Sequence, residues 1–220
     1  MRSVLGLDEA GRGSVLGPLV IGGFSIDGNR ILRLSDIGVC DSKLLPSERR
    51  EEIYAELRTL GECRTVHLEP ARIDTAVAKH SLNDLELTAF AELVRAVGPD
   101  ETRADACDPN AQRFARILKA RSGHPAPVKA RHHMDRDDLV VGAASIVAKV
   151  ERDRAVERLA AEIGEPIGSG YPSDPRTMEF VRRWIASRGV QSAAWLRQSW
   201  APTKRLIRER SARRLEEFDG

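Results

Sequence analysis

Apolar residues alternate between short strand-like runs and helical spacing over the first two thirds of the chain and keep helical spacing over the last third. Val4 to Asp8 and Leu19 to Ser25 are short apolar runs joined by a Gly-rich, Pro-containing connection, which predicts two neighbouring strands in a hairpin. Pro46 opens a helix at its first position, with Ile53, Leu57 and Leu60 at i, i+4 and i+7 and Gly61 as the stop. Cys63 to Leu68 alternates as a third strand. Asn83 and Glu86 have capping-box spacing before a helical face of Leu85, Ala89, Leu93 and Val97, which Gly98-Pro99 ends.

Arg103 to Cys107 reads as a brief strand, Asp108-Pro109 as the cap and opening of a helix carrying Phe114, Ile117 and Leu118, and Val128 to Arg131 as another strand. From Gly142 the pattern is helical, through Ala143, Ile146, Val147 and Val150 towards Gly164, and two further helices are expected at Asp174 to Arg188 and Thr203 to Leu215. Pro70 to His80 and Gly164 to Pro175 read as irregular. Strands alternating with helices predict an α/β layer with a helical extension packed on its side, and the opening hairpin makes the sheet mixed.

Composition sets bounds on this picture. At 220 residues the chain can bury a sizeable core as one large domain, or one domain with an appended piece. The net charge of +2 hides 35 Lys and Arg against 33 Asp and Glu, so local distribution decides whether a polyanion is met. Cys40, Cys63 and Cys107 lack CxxC spacing and suit neither zinc nor a disulfide framework, which points to a reducing cytoplasm. The first residues are too short and too charged for a signal peptide, and no apolar stretch approaches membrane-spanning length.

The chemistry begins with Asp8-Glu9, two adjacent carboxylates where a buried strand should finish. A turn is the bland reading; a metal site is the sharper one. Alternate strand residues face opposite sides of a sheet, so the two share a site only if Glu9 lies past the strand end. Ligands gather at strand ends in α/β sheets, which brings in Asp105 of RADACDP and Asp135 of HHMDRDDLVVGAAS. Asp108, Asp137 and Asp138 lie nearby, and spacing alone does not choose among them. Clustered carboxylates repel unless a cation neutralises them, and hard oxygen ligands select magnesium or manganese over zinc. Two such ions are suited to phosphodiester hydrolysis.

The words GLDEAGRG, DSKLLP, ADA, GAASIVAKVERDR and GSGYPSDPRT, in this order, resemble prokaryotic ribonuclease HII, in a form closer to its archaeal branch. The resemblance runs from Val4 to about Arg183. It implies a ribonuclease H-like mixed sheet of five strands flanked by helices, with residues 1–165 as the catalytic domain and 166–220 as a helical, substrate-binding C-terminal extension. It also implies an endoribonuclease that hydrolyses the RNA strand of RNA/DNA hybrids and cuts 5′ of single ribonucleotides in duplex DNA, leaving 3′-hydroxyl and 5′-phosphate ends. Mg2+ or Mn2+ is the implied cofactor, with two ions per site when substrate is bound. The family's four metal-binding acids fall on Asp8, Glu9, Asp105 and the acid seven residues before the first residue of GAAS, which is Asp135. The HHMDRDD stretch and Gly142 depart from the commoner family form.

The resemblance further assigns Gly11, Arg12 and Gly13 to ribonucleotide reading and Tyr171 to the 2′-hydroxyl, the group that separates RNA from DNA. Lys43 of DSK, Lys149 and the supporting Ser145 fall on phosphate-facing or site-supporting positions. His132 and His133 stay outside the metal site, since nitrogen ligands suit zinc better. Two basic runs, Arg113 to Arg131 and Lys204 to Arg214, fit a phosphate backbone crossing the molecule. Leu215 and Phe218 faintly resemble the sliding-clamp box of some archaeal relatives, though the glutamine and second aromatic are missing. A monomer is expected. Two rivals remain: a dinucleotide-binding oxidoreductase, whose glycine spacing is one residue off at Gly11, Gly13 and Gly17, and a non-catalytic nucleic-acid-binding module.

Overall fold

The structure is a computed structural model that describes residues 2–39, 42 and 45–218, the side chains as far as Ser211. Five strands, β1 (Ser3–Ala10), β2 (Leu19–Asp27), β3 (Glu62–Leu68), β4 (Glu101–Asp105) and β5 (Val128–Arg131), form one sheet in the order β3-β2-β1-β4-β5. β1 pairs antiparallel with β2 and parallel with β4, which in turn pairs parallel with β5. The helices among the described residues are α1 (Arg33–Asp36), α2 (Ser47–Leu60), α3 (Pro70–Ala78), α4 (Leu82–Val97), α5 (Ala111–Ser122), α6 (Met134–Asp137), α7 (Leu139–Ile163), α8 (Pro175–Arg188) and α9 (Ala201–Phe218). The mixed five-stranded sheet with flanking helices is the expected fold.

Several boundaries move, each for a local reason. β1 runs on to Ala10 rather than stopping at Asp8, because Glu9 and Ala10 still pair with Ile21 and Val20. α4 starts at Leu82, so Asn83 lies inside its first turn instead of capping it. The cap of α5 is Asn110, whose side chain accepts from the Arg113 N–H, two residues later than the expected Asp108. Pro70 to Ala78 is helical rather than irregular: Pro70 occupies the first turn, where its missing N–H costs nothing, and Ile73 and Ala76 are buried.

Contacts divide the chain into two compact units. The first comprises Met1–Ala10, Val20–His67 and Leu82–Glu151. Its core joins Phe24 and Ile26 of β2, Ile53, Tyr54 and Leu57 of α2, and Val140, Ala143, Ala144 and Val147 of α7. α7 reaches the sheet this closely because two strand residues have no side chain. A Cβ on Gly6 would stand 2.1 Å from the Val140 carbonyl oxygen, and one on Gly22 would stand 2.6 Å from that of Ala144.

The second unit comprises Gly11–Leu19, Leu68–Ser81 and Arg152–Gly220. Val15, Leu16, Phe180, Val181, Ile185 and Leu196 make its core, with Trp184 and Trp195 packed against them. Asp74 of α3 ties this unit together by accepting from the Gln198 and Ser199 N–H groups, each at 2.9 Å.

Candidate metal centre

β1 and β4 run parallel with Leu7 opposite Ala104, so the residues that follow, Asp8 and Asp105, come side by side. Asp105 in turn stands opposite Arg131 at the end of β5. The chain then reverses at His133, whose φ of 56° is left-handed, and α6 carries Asp135 back towards the strand ends. The Met134 N–H donates to Asp105 Oδ1 at 3.3 Å and holds that turn against β4. One carboxylate oxygen from each of Asp8, Asp105 and Asp135 lies within 4.8 Å of the others.

These acids are expensive to ionise together. Asp8 is 5% exposed and Asp135 2%. Burial, opposed by a hydrogen bond from Ser145 and reinforced by the neighbouring charges of Asp105 and Asp135, pushes the Asp8 carboxyl up to about 7. Burial first, then the charge of Asp135, also raises Asp105. Three converging carboxylates with nothing but oxygen donors fit a hard divalent cation, which would offset this repulsion.

Glu9 is not in the three-acid group. It remains paired within β1, where successive side chains alternate between faces, and its backbone N–H donates to Asp8 Oδ1 at 2.8 Å. The neighbouring acids are accounted for otherwise. Asp138 accepts from the Val140 and Val141 N–H groups, at 2.9 and 3.1 Å, and pairs with Arg103 at 2.9 Å. Asp108 accepts from the Asn110 N–H and pairs with Arg113 at 2.6 Å, and Asp137 is exposed.

Ser145 is fully buried on α7 and hydrogen-bonded to Asp8. Lys149, four residues on, shares its helix face and is half-buried. Lys43 lies outside the described residues, as do Cys40 and the side chains of Leu215 and Phe218. His132 contacts the Ala106 carbonyl at 3.3 Å, and neither it nor His133 joins the three acids. In the first basic run Arg113, Arg121 and Lys129 pair with Asp108, Asp84 and Glu101, while Arg116, Lys119 and Arg131 are exposed.

Gly11, Arg12, Gly13 and Tyr171 all belong to the second unit, where Gly11 and Tyr171 both contact Arg152. Arg197, fully buried, donates to the Arg12 and Gly17 carbonyls, both at 3.1 Å. Arg152, 2% exposed, donates to Ser14 Oγ at 2.8 Å and lies 4.3 Å from the centroid of the Tyr171 ring. Gly11 packs against the same arginine: a Cβ there would stand 3.2 Å from Arg152 Cγ and 3.0 Å from the Pro18 carbonyl oxygen. Sequence reading missed both arginines. Arg152 lies in GAASIVAKVERDR, and Arg197 sits between Trp195 and Trp200 in WLRQSW, a cation flanked by two large aromatic residues.

A family model described as Ribonuclease HII matches residues 5–203. Ribonuclease HII of Methanothrix thermoacetophila is 39% identical over 207 residues, covering 94% of this chain and 98% of the relative. That of Thermococcus kodakarensis is 41% identical over 218 residues, covering 97% and 94%. Among solved structures, ribonuclease H2 from Pyrococcus horikoshii OT3 gives a TM-score of 0.88 at 39% identity, over 95% of this chain and 99% of that one. RNase HII from Archaeoglobus fulgidus, solved in complex with PCNA, gives 0.83 at 37% identity, over 92% and 96%. Bst-RNase HIII in complex with Mn2+ shares the fold, at a TM-score of 0.80 and 21% identity.

Proposed function

The chain belongs to the ribonuclease HII family and is a metal-dependent ribonuclease H enzyme; from that premise we propose that it hydrolyses the RNA strand of RNA/DNA hybrids and cuts duplex DNA 5′ of a single embedded ribonucleotide. The observation that carries this reading is the group of three buried or half-buried acids at the ends of β1 and β4 and on α6. Asp8, Asp105 and Asp135 supply the oxygen donors, and Glu9, assigned by the family resemblance, adjoins them on β1. Mg2+ or Mn2+, two ions with substrate bound, would supply the positive charge and Lewis acidity that phosphodiester hydrolysis needs.

The chain's own residues do the rest. Ser145 donates to Asp8 and orients it. The family resemblance assigns Lys43 and Lys149 to the phosphate, where their charge would offset its own. Gly11, Arg12 and Gly13 present backbone N–H groups and a guanidinium to the ribonucleotide, on a loop whose carbonyls are clamped by Arg197. Tyr171, stacked on the buried Arg152, meets the 2′-hydroxyl. In-line attack by water on the phosphorus expels the 3′ oxygen of the preceding nucleotide, leaving a 3′-hydroxyl and a 5′-phosphate.

On this reading residues 1–165 carry the chemistry and 166–220 extend the substrate-binding surface. An archaeal relative is in complex with PCNA, and Leu215 and Phe218 are assigned to a sliding-clamp contact of the same kind. The test is cleavage of three labelled duplexes, one with a single ribonucleotide, one an RNA/DNA hybrid and one all DNA, with Mg2+, Mn2+ or EDTA. Cleavage of the first two only, and only with a divalent ion, is expected. Retention of the duplexes without cleavage in either metal would instead favour a binding module.

A further inference from the structure

Ser42, the residue before Lys43, has been given no role so far. It is fully buried, as is Ser145, and the two hydroxyl oxygens are 2.8 Å apart. A serine hydroxyl has one proton to give. When Asp8 is ionised, as a metal ligand must be, Ser145 gives its proton to that carboxylate, and the 2.8 Å contact is then made with the proton of Ser42. The polar chain therefore runs in one direction, from Ser42 to Ser145 to Asp8.

From this geometry we infer that Ser42 is a positioning residue for the metal-binding carboxylate of Asp8, acting through Ser145. The inference rests on the reading of Asp8 as a metal ligand. A serine within a helix can turn its hydroxyl back to the carbonyl four residues earlier, here that of Val141. A donor arriving from Ser42 occupies a lone pair of Ser145 Oγ and directs its proton at Asp8 instead. Buried hydrogen bonds in series polarise one another, which strengthens the last of them.

Ser42 is itself held in place from α2. Arg50 Nη1 donates to the Leu45 carbonyl at 2.6 Å and lies 3.5 Å from that of Ser42. Ser42 and Leu45 are thereby tied to a helix in the core of the first unit, and the Ser42 hydroxyl meets α7 at Ser145.

The test is a double-mutant cycle on the full chain: wild type, Ser42→Ala, Ser145→Ala and the double variant. Mn2+ affinity is measured by calorimetry without nucleic acid, and kcat and KM on the single-ribonucleotide duplex. Partners behind a metal ligand cost on the order of 10- to 100-fold in metal affinity or activity when removed. Ser42→Ala, one bond further out, is expected near the lower end, about 10-fold in Mn2+ Kd and in kcat, with KM within about twofold. In the Ser145→Ala background the same substitution should add less than about twofold, because the path to Asp8 is already cut.

A Ser42→Ala protein within about twofold of wild type in Mn2+ affinity overturns the inference. Equal fold-losses in both backgrounds also overturn it, since they mark a structural role independent of Ser145. A wild-type protein that neither binds Mn2+ nor cleaves overturns the underlying reading as well, whereas an active wild type with an indifferent Ser42→Ala sinks this inference alone.

Discussion

Replacing Asp8 by asparagine should abolish cleavage and make the metal-free protein more stable above neutral pH. The unfolded chain loses the Asp8 proton near 3.8, and the folded one near 7. Between those values the native state keeps a proton that the unfolded state releases, so stability falls as pH rises through the window and levels off above it. A gap of about 3 pKa units, at 1.36 kcal/mol each, corresponds to about 4 kcal/mol at pH 8. Asparagine carries no charge, and its Oδ1 can still accept the Glu9 N–H that Asp8 accepts at 2.8 Å. For a chain of this length 1 kcal/mol moves Tm by roughly 2–4 °C, so an increase of about 8–16 °C is the most to expect.

The assay is thermal unfolding in EDTA at pH 5 and pH 8. Wild type should lose more Tm between the two pH values than Asp8→Asn, and the variant should melt higher at pH 8. Saturating Mg2+ should stabilise wild type by about 3 kcal/mol at a hundredfold excess over Kd and the variant by far less. An Asp8→Asn protein that melts below wild type in EDTA at pH 8 would refute the reasoning, because the carboxylate would then already be compensated without a cation.

Asp135→Asn should lower kcat by more than about 100-fold, beyond the loss typical of an outer partner. Asp138→Asn should keep cleavage and keep the N–H bonds of the first turn of α7, which asparagine Oδ1 can still accept, but destabilise by up to about 1 kcal/mol through loss of the ion pair with Arg103; activity and Tm measured on both variants would expose an exchange of roles. Gly6→Ala drives a Cβ to 2.1 Å from the Val140 carbonyl, which should cost about 3 kcal/mol or more; a wild-type Tm would contradict the close packing of α7 on the sheet. Tyr171→Ala should lower cleavage at a single ribonucleotide more than cleavage of an all-RNA strand, measured as the ratio of kcat/KM; an unchanged ratio refutes its assignment to the 2′-hydroxyl.

Much of this molecule was legible because apolar periodicity survives into the structure. The expected Val128 to Arg131 is β5 itself, and the helical pattern from Gly142 became most of α7. The end of β1 was misplaced because Asp8 and Glu9 look like a strand terminus, whereas pairing with β2 carries the strand two residues further. α3 was hidden by its brevity: nine residues opening on Pro70 resemble a break, and what holds them is the distant contact of Asp74 with Ser199.

The candidate site was legible only in part. Spacing in HHMDRDDL leaves Asp135, Asp137 and Asp138 equivalent, and the resemblance to a family motif was needed to select Asp135. In the structure they separate physically, into a buried member of the three-acid group, an exposed side chain and a helix cap. Arg152 and Arg197 could not be read at all, since arginine is seldom fully buried. Their hydrogen bonds reach 138 and 185 residues along the chain, beyond any local pattern.

The central claim is that Asp8, Asp105 and Asp135 share a divalent cation. Crystals grown with MnCl2 and measured near the manganese absorption edge test it most directly. The account predicts an anomalous peak within coordination distance of a carboxylate oxygen from each of the three residues, absent from Asp135→Asn crystals. A peak bound instead by Asp108, Asp137 or Asp138, or no peak at saturating manganese, would contradict it.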